Sequence, residues 1–198
     1  MSIDKFKECV DSGDTLGAIL ALDNLDLNKP HRALKEDTPL TYATKVGNRG
    51  VVAALLSKGA DVNLEGRNET YALHSAIEIK DLEMAKMLLD AKANTEVKDY
   101  LQRTPLHYAV IYGMFDVVQI LLNLGSDINA LDSDFEWTPL HLAAYHGHAH
   151  IAEILIQHGA DQSILDSDFD TALDVATWNE SLEVVNILNL SKIGKEHP

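Results

Sequence analysis

Three short clusters in this chain carry side chains capable of chemistry. The first is His146-Gly-His148-Ala-His150, whose imidazoles suggest a transition-metal tract. The other two, Asp132-Ser-Asp134-Phe-Glu136 and Asp166-Ser-Asp168-Phe-Asp170, open like a calcium-binding loop. An EF-hand loop needs glycine at its sixth position and a bidentate glutamate at its twelfth. Those places hold Trp137 and Ala143 in the first run, and Thr171 and Thr177 in the second. The turn-forming preference of Asp and Ser therefore accounts for both runs. In the histidine tract, His146 and His150 straddle an expected helix break, and no cysteine or further ligand is local. No metal site is assigned.

Other chemistries find no footing. There is no glycine-rich loop ending in Gly-Lys-Ser/Thr, no His-Glu-x-x-His and no Gly-x-Ser-x-Gly. The single cysteine, Cys9, excludes an intrachain disulfide. It shares a helical pattern with Phe6 and Val10, which marks it as a small core residue and not a nucleophile. The expectation is a protein without enzymatic activity and without a cofactor. Asp and Glu number 31 against 16 Lys and Arg, for a net charge of −15. Such a surface repels phosphate backbones and anionic membranes, which excludes nucleic acid as the natural partner. It favours a neutral or basic partner, or serves only solubility. No apolar run is long enough for a secretory leader or a membrane span, so a cytoplasmic monomer with no membrane insertion is expected. A protein acting inside a host cell would read the same way.

What positions these side chains is a repeat. Thr38-Pro39-Leu40 returns as Thr104-Pro105-Leu106 and Thr138-Pro139-Leu140, with degenerate copies at Tyr71-Ala72-Leu73 and Thr171-Ala172-Leu173. A second phrase, Leu55-Leu56-Ser-Lys-Gly59-Ala60-Asp61-Val62-Asn63, recurs at Leu121–Asn129 and at Leu155–Asp161. Threonine is a good helix N-cap, and proline suits the first helical position, where its missing N–H costs nothing. Ala109, Ala143, Ala144 and Ala176 let neighbouring helices approach closely. Gly113 and Gly147 break the first helix from the second, whose apolar spacing shows at Val117, Ile120, Leu121 and Leu124. One such pair of helices cannot bury its apolar face alone, so several must stack.

These phrases, with His107 and His141 following Thr-Pro-Leu, closely resemble the ankyrin repeat family, whose period is about 33 residues. The resemblance implies an all-α ankyrin-repeat solenoid with short β-turn-like finger loops, as a single domain over 1–198. Its six units fall at about 1–31 (N-terminal cap), 32–64, 65–97, 98–130, 131–164 and 165–190 (C-terminal cap). Residues 191–198 read as a polar, frayed tail. Departures from the family pattern are visible. The turn glycine two residues before the threonine is replaced by Glu36, Glu69, Gln102, Glu136 and Phe169, which bears on the tightness of the fingers. Lys92 stands where Gly59 and Gly125 end the second helix, and a looser end is expected there. One extra residue lies near Ser133 to Glu136, where solenoid insertions map to loops.

Family members generally bind partners through the fingers and the exposed positions of each first helix. Carried over, these positions give Tyr100, Arg103, Ile111 and Tyr112 in the fourth unit. The fifth gives Asp134, Phe135, Trp137, Tyr145 and His146, and the sixth gives Asp168, Asp170 and Trp178. Acid beside aromatic suits a cation, by ion pairing and cation–π contact. The implied function is a protein-interaction module, an adaptor or assembly factor, that grips a basic or amphipathic segment of a protein or peptide. Packing of the rings between repeats is the competing structural reading. A stoichiometric inhibitor of a partner enzyme, or a small-molecule or metal sensor, is the alternative function. Some members read methyl-lysine through a Trp-and-acid cage. Trp137 beside Glu136 resembles one wall, but Leu142 and Val175 stand where further rings would close it. Asn63 and Asn129 resemble ankyrin asparagines that are hydroxylated.

Overall fold

The computed structural model describes residues 2–193, excluding the side chains of Asn24 and of residues 191–193. Twelve α-helices lie in this span, and among the described residues there is no strand, only an isolated antiparallel bridge between His31 and Asp37. None of the helices is long and apolar enough to cross a membrane. The chain forms two compact units that divide at Asn94 and Thr95.

The first unit holds α1 (Ile3–Asp11), α2 (Thr15–Ala21), α3 (Pro39–Val46), α4 (Arg49–Ser57), α5 (Ala72–Glu78) and α6 (Leu82–Asp90). Consecutive helices pack as pairs: α1 on α2, α3 on α4, α5 on α6. The pairs stack through α1 on α3, α3 on α5 and α2 on α4. The second unit holds α7 (Pro105–Ile111), α8 (Phe115–Asn123), α9 (Pro139–Tyr145), α10 (Ala149–Gln157), α11 (Ala172–Trp178) and α12 (Leu182–Ile193). Its pairs stack in the same way, α7 on α9 on α11 and α8 on α10 on α12. Helix α12 takes in 191–193, so the helix runs further than the expected end at 190. Residues 194–198 of the expected tail lie outside the described residues.

Each helix starts where the repeat phrase says it should. Thr38, Thr104 and Thr138 accept hydrogen bonds from backbone N–H groups three residues on, with proline in the first turn. Asp14, Asn48 and Asp81 do the same for α2, α4 and α6. The core is the repeat's own leucine set. Leu40, Leu55, Leu73 and Leu88 in the first unit, and Leu106, Leu121, Leu140 and Leu155 in the second, are all buried. Full burial of each stabilises by about 1.5–3 kcal/mol relative to exposure. Phe6, Cys9 and Val10 are buried together in α1, and burial holds the Cys9 thiol above its ordinary range.

The missing glycines do not loosen the structure. Glu36, Glu69, Gln102, Glu136 and Phe169 all adopt the left-handed region, with φ between 55° and 69°. Lys92, at φ 69°, ends α6 with the same pair of backbone bonds that Gly59 makes at the end of α4. Lys92 donates to Leu89 and Ala93 to Leu88, as Gly59 donates to Leu56 and Ala60 to Leu55. The expected looser helix end is thus absent. The hydrogen bonds on either side hold the turn geometry, and each residue bears the steric cost of the left-handed conformation.

Candidate functional site

The fingers of the second unit are built from one carboxylate each. Asp99 accepts from the N–H groups of Leu101 and Arg103, at 2.9 and 2.8 Å. Asp166 accepts from those of Asp168 and Asp170, both at 2.9 Å. Asp132 accepts from those of Phe135 and Trp137, at 3.2 and 3.1 Å, so its turn is one residue wider. The extra residue expected near Ser133 to Glu136 is taken up here, and the widened turn carries Phe135. Backbone bonds of 2.9 Å, from Ser133 to Leu101 and from Ser167 to Phe135, link each finger to the next.

Histidines tie these fingers to the helices below. Nδ1 of His107 meets the Thr104 hydroxyl at 2.8 Å, and its Nε2 lies 3.3 Å from the Trp137 carbonyl. His141 repeats this with Thr138 at 2.8 Å and the Asp170 carbonyl at 3.3 Å. Burial pushes both imidazoles below their usual range, so at neutral pH each is uncharged.

Where these fingers meet the ends of α9 and α11, a cavity of about 510 Å³ opens. Phe135, Trp137, Tyr145 and Trp178 form its aromatic wall. Their rings follow one another at 4.9, 5.0 and 6.0 Å between centroids, tilted by 31°, 47° and 60°. Trp137 is the floor: it is 7% exposed, and its indole N–H donates to Asp166 at 2.8 Å. Phe135 (47%), Tyr145 (40%) and Trp178 (54%) are each about half exposed. The Asp166 carboxyl is pulled upward by burial. Donation from Asp170, Trp137 and Asp168 outweighs this and holds it below the ordinary carboxylate range. His146 is pushed down, chiefly by burial and then by His148 and Arg103, so it too is neutral at pH 7.

The structure brings Arg103, Ile111, Phe135, Trp137, Tyr145, His146, Asp168, Asp170 and Trp178 to this one cavity. It leaves out three of the expected site residues. Tyr100 is exposed elsewhere on its finger, and Tyr112 packs its ring against Tyr108 at 6.0 Å. Asp134 is engaged with the Arg103 guanidinium at 2.9 Å. Trp137 is corrected in role: it is a buried support for the other rings. Leu142 and Val175 are buried aliphatics, as the incomplete-cage reading required, yet the aromatic wall is completed from elsewhere, by Phe135, Tyr145 and Trp178. Asp166 and Leu142 also line the cavity. Their signal was the finger carboxylate's place in the repeat and the apolar position one helical turn after Thr138.

The family model for ankyrin repeats (3 copies) matches residues 40–132 and 124–196. The chain belongs to the ankyrin repeat family. It is 32% identical over 103 residues to an ankyrin repeat protein of Acanthamoeba polyphaga mimivirus, covering 52% of this chain and 14% of that protein. An ankyrin repeat protein of fowlpox virus is 31% identical over 119 residues, 59% of this chain and 35% of its own length. The Arabidopsis thaliana E3 ubiquitin-protein ligase KEG is 33% identical over 87 residues, 43% of this chain and 5% of the ligase. The chain therefore spans only a small part of these relatives. Ankyrin repeats generally mediate protein–protein interaction, and this repeat architecture accounts for the other chemistry-bearing clusters too. Among the described residues, no three His, Cys, Asp or Glu side chains gather where they could hold a metal ion. His146 and His148 stack at 5.6 Å, while His148 stands at the N-cap position of α10. Asn63 accepts from the Asn94 N–H at 2.7 Å, and Asn129 from the Asp161 N–H at 3.0 Å, so each asparagine braces the loop one repeat later.

Proposed function

We propose that this ankyrin chain is a non-enzymatic interaction module that captures a partner protein or peptide on the face formed by its fingers and first helices between Arg103 and Trp178. The observation that carries the reading is the half-exposed strip of Phe135, Tyr145 and Trp178 over a 510 Å³ cavity, rimmed by Asp168 and Asp170. Aromatic anchors in a preformed concavity are the residues on which binding energy concentrates. The fingers that hold them are tied by backbone and carboxylate bonds, so capture costs little ordering. A basic or amphipathic segment suits the rim's charge. Adaptor and inhibitor would use the same face and differ only in what the partner does.

Selection of a displayed peptide library tests this, with wild type compared against a Tyr145→Ala, Trp178→Ala double variant. These two side chains are solvent-facing, so the variant retains its helices by circular dichroism. The expected result is a set of ligands that bind wild type and are lost from the variant. Ligands held equally by both would place the binding face elsewhere.

A further inference from the structure

Consecutive fingers of the second unit carry the same side-chain pattern, and one place in it is empty. Arg103, the residue before Thr104, reaches the following finger with both ends of its guanidinium. Its Nε donates to Asp132 at 3.3 Å and its terminal nitrogen to Asp134 at 2.9 Å. One repeat later Trp137, the residue before Thr138, reaches the next finger in the same way, and its Nε1 donates to Asp166 at 2.8 Å. Asp166 and Asp168 stand 34 residues after Asp132 and Asp134. An indole has one N–H where a guanidinium has five, so Trp137 satisfies Asp166 and has nothing left for Asp168. Among the described residues, neither the Asp168 nor the Asp170 carboxylate accepts a hydrogen bond, although both line the cavity.

We propose that the cavity is a socket for an arginine side chain of the partner, whose guanidinium takes at Asp168 the place that Arg103 takes at Asp134, with Asp170 as its second acceptor. This rests on the partner-binding reading above and names what that face recognises. The aromatic strip supplies the second requirement of such a ligand. A planar guanidinium stacks on a ring face while its edge donates to carboxylates. The rings also select against other cations. Phe135, Trp137, Tyr145 and Trp178 are each in contact with the next, and so make a continuous strip. A quaternary ammonium has no N–H to offer either carboxylate and would need rings enclosing it. A lysine ammonium is a compact point charge that leaves the planar strip unused. Arg103, which also lines the cavity, is paired with Asp132 and Asp134, and Asp168 and Asp170 keep the socket negative.

The test titrates the ¹⁵N-labelled protein with N-acetyl-arginine amide, N-acetyl-lysine amide and N-acetyl-trimethyllysine amide, and follows the two indole N–H signals by NMR. The arginine amide is expected to shift both signals and to bind most tightly. An Asp168→Asn, Asp170→Asn variant, which removes no internal side-chain bond, is expected to weaken it by about tenfold or more, from the loss of charge-assisted hydrogen bonds. The socket assignment is overturned if the lysine or trimethyllysine amide binds as tightly, if the Asn variant binds arginine unchanged, or if the arginine amide shifts neither indole. Library-selected ligands separate the two levels of argument. Ligands lost from the Tyr145→Ala, Trp178→Ala variant but indifferent to replacement of their own arginines would leave partner binding standing and overturn the socket.

Discussion

Replacing Lys92 by glycine should stabilise the protein, although glycine ordinarily weakens a helical segment. Lys92 ends α6 at φ 69°, in the left-handed region, and its side chain is exposed with no partner among the described residues. An L-residue in that region bears roughly 1–2 kcal/mol of steric cost. Glycine removes it, but gives back about 0.4–1 kcal/mol through the greater freedom of the unfolded chain. The net gain is about 0.5–1 kcal/mol, worth roughly 1–4 °C in Tm for a chain of this size. The Lys92 carbonyl, which accepts from the Asn63 side chain at 3.3 Å, is untouched. A Lys92→Ala variant controls for the lost charge, because it keeps the left-handed strain. The reverse change is Gly59→Ala, one repeat earlier. A Cβ there would meet nothing within 4 Å, so its cost is the dihedral alone. Urea melts followed by circular dichroism, with slopes held equal, should rank the variants Lys92→Gly above wild type and Gly59→Ala below it. A Lys92→Gly protein less stable than Lys92→Ala would refute the reasoning. It would mean that the strain relieved at this turn is smaller than the freedom glycine adds to the unfolded chain.

Three further outcomes are expected. Trp137→Phe keeps a ring on the cavity floor but strips Asp166 of its indole donor. It should lower stability by about 1–3 kcal/mol, the cost of an unmatched buried acceptor, and a thermal melt equal to wild type would show that water replaces the donor. Burial holds His107 and His141 below their ordinary value of 6.5, so the unfolded state takes up protons before the folded state does. Their contribution is fully present above about pH 6.5 and is lost as pH falls, by at most about 1.4 kcal/mol per pH unit per histidine. Melts at about pH 7.5 and about pH 5.5 should show the lower Tm at the acidic end, with a smaller difference in a His141→Gln variant; a flat profile would mean that the imidazoles charge inside the fold. Asn129→Ala removes the side-chain oxygen that accepts from the Asp161 N–H and should cost about 1 kcal/mol, with faster amide hydrogen exchange at Asp161; unchanged exchange there would mean that this bond does not protect the amide.

The period made the fold legible. Leucines at 40, 73, 106 and 140, and the threonine caps before Leu40, Leu106 and Leu140, are local signals, and the helices form where these and their apolar faces put them. The site was legible to the extent that it copies the family's geometry, which is why Tyr145, His146, Asp168 and Trp178 reach one cavity. Legibility failed where a residue's role is set by a neighbour one repeat away. Trp137 reads as an exposed anchor until Asp166 is seen to take its N–H and draw it down to the floor. Asp134 reads as a free acid until Arg103 closes on it. The left-handed Glu136 and Phe169 were unreadable for a related reason. Conformation there is dictated by finger hydrogen bonds on both sides, and not by the preference of the residue itself.

The chain's two tryptophans, Trp137 and Trp178, both lie in the second compact unit, and residues 2–94 contain none. Indole emission is therefore silent about the first unit, while far-UV circular dichroism sums over helices of both. A repeat protein's cohesion comes from nearest-neighbour interfaces and need not produce one all-or-none transition. Superimposing the two optical traces during unfolding thus measures how far the halves of this molecule melt as one. Coincident curves would mean a single cooperative block. A dichroism loss that precedes the emission change would mean that the tryptophan-free half lets go first, while the aromatic strip stays assembled.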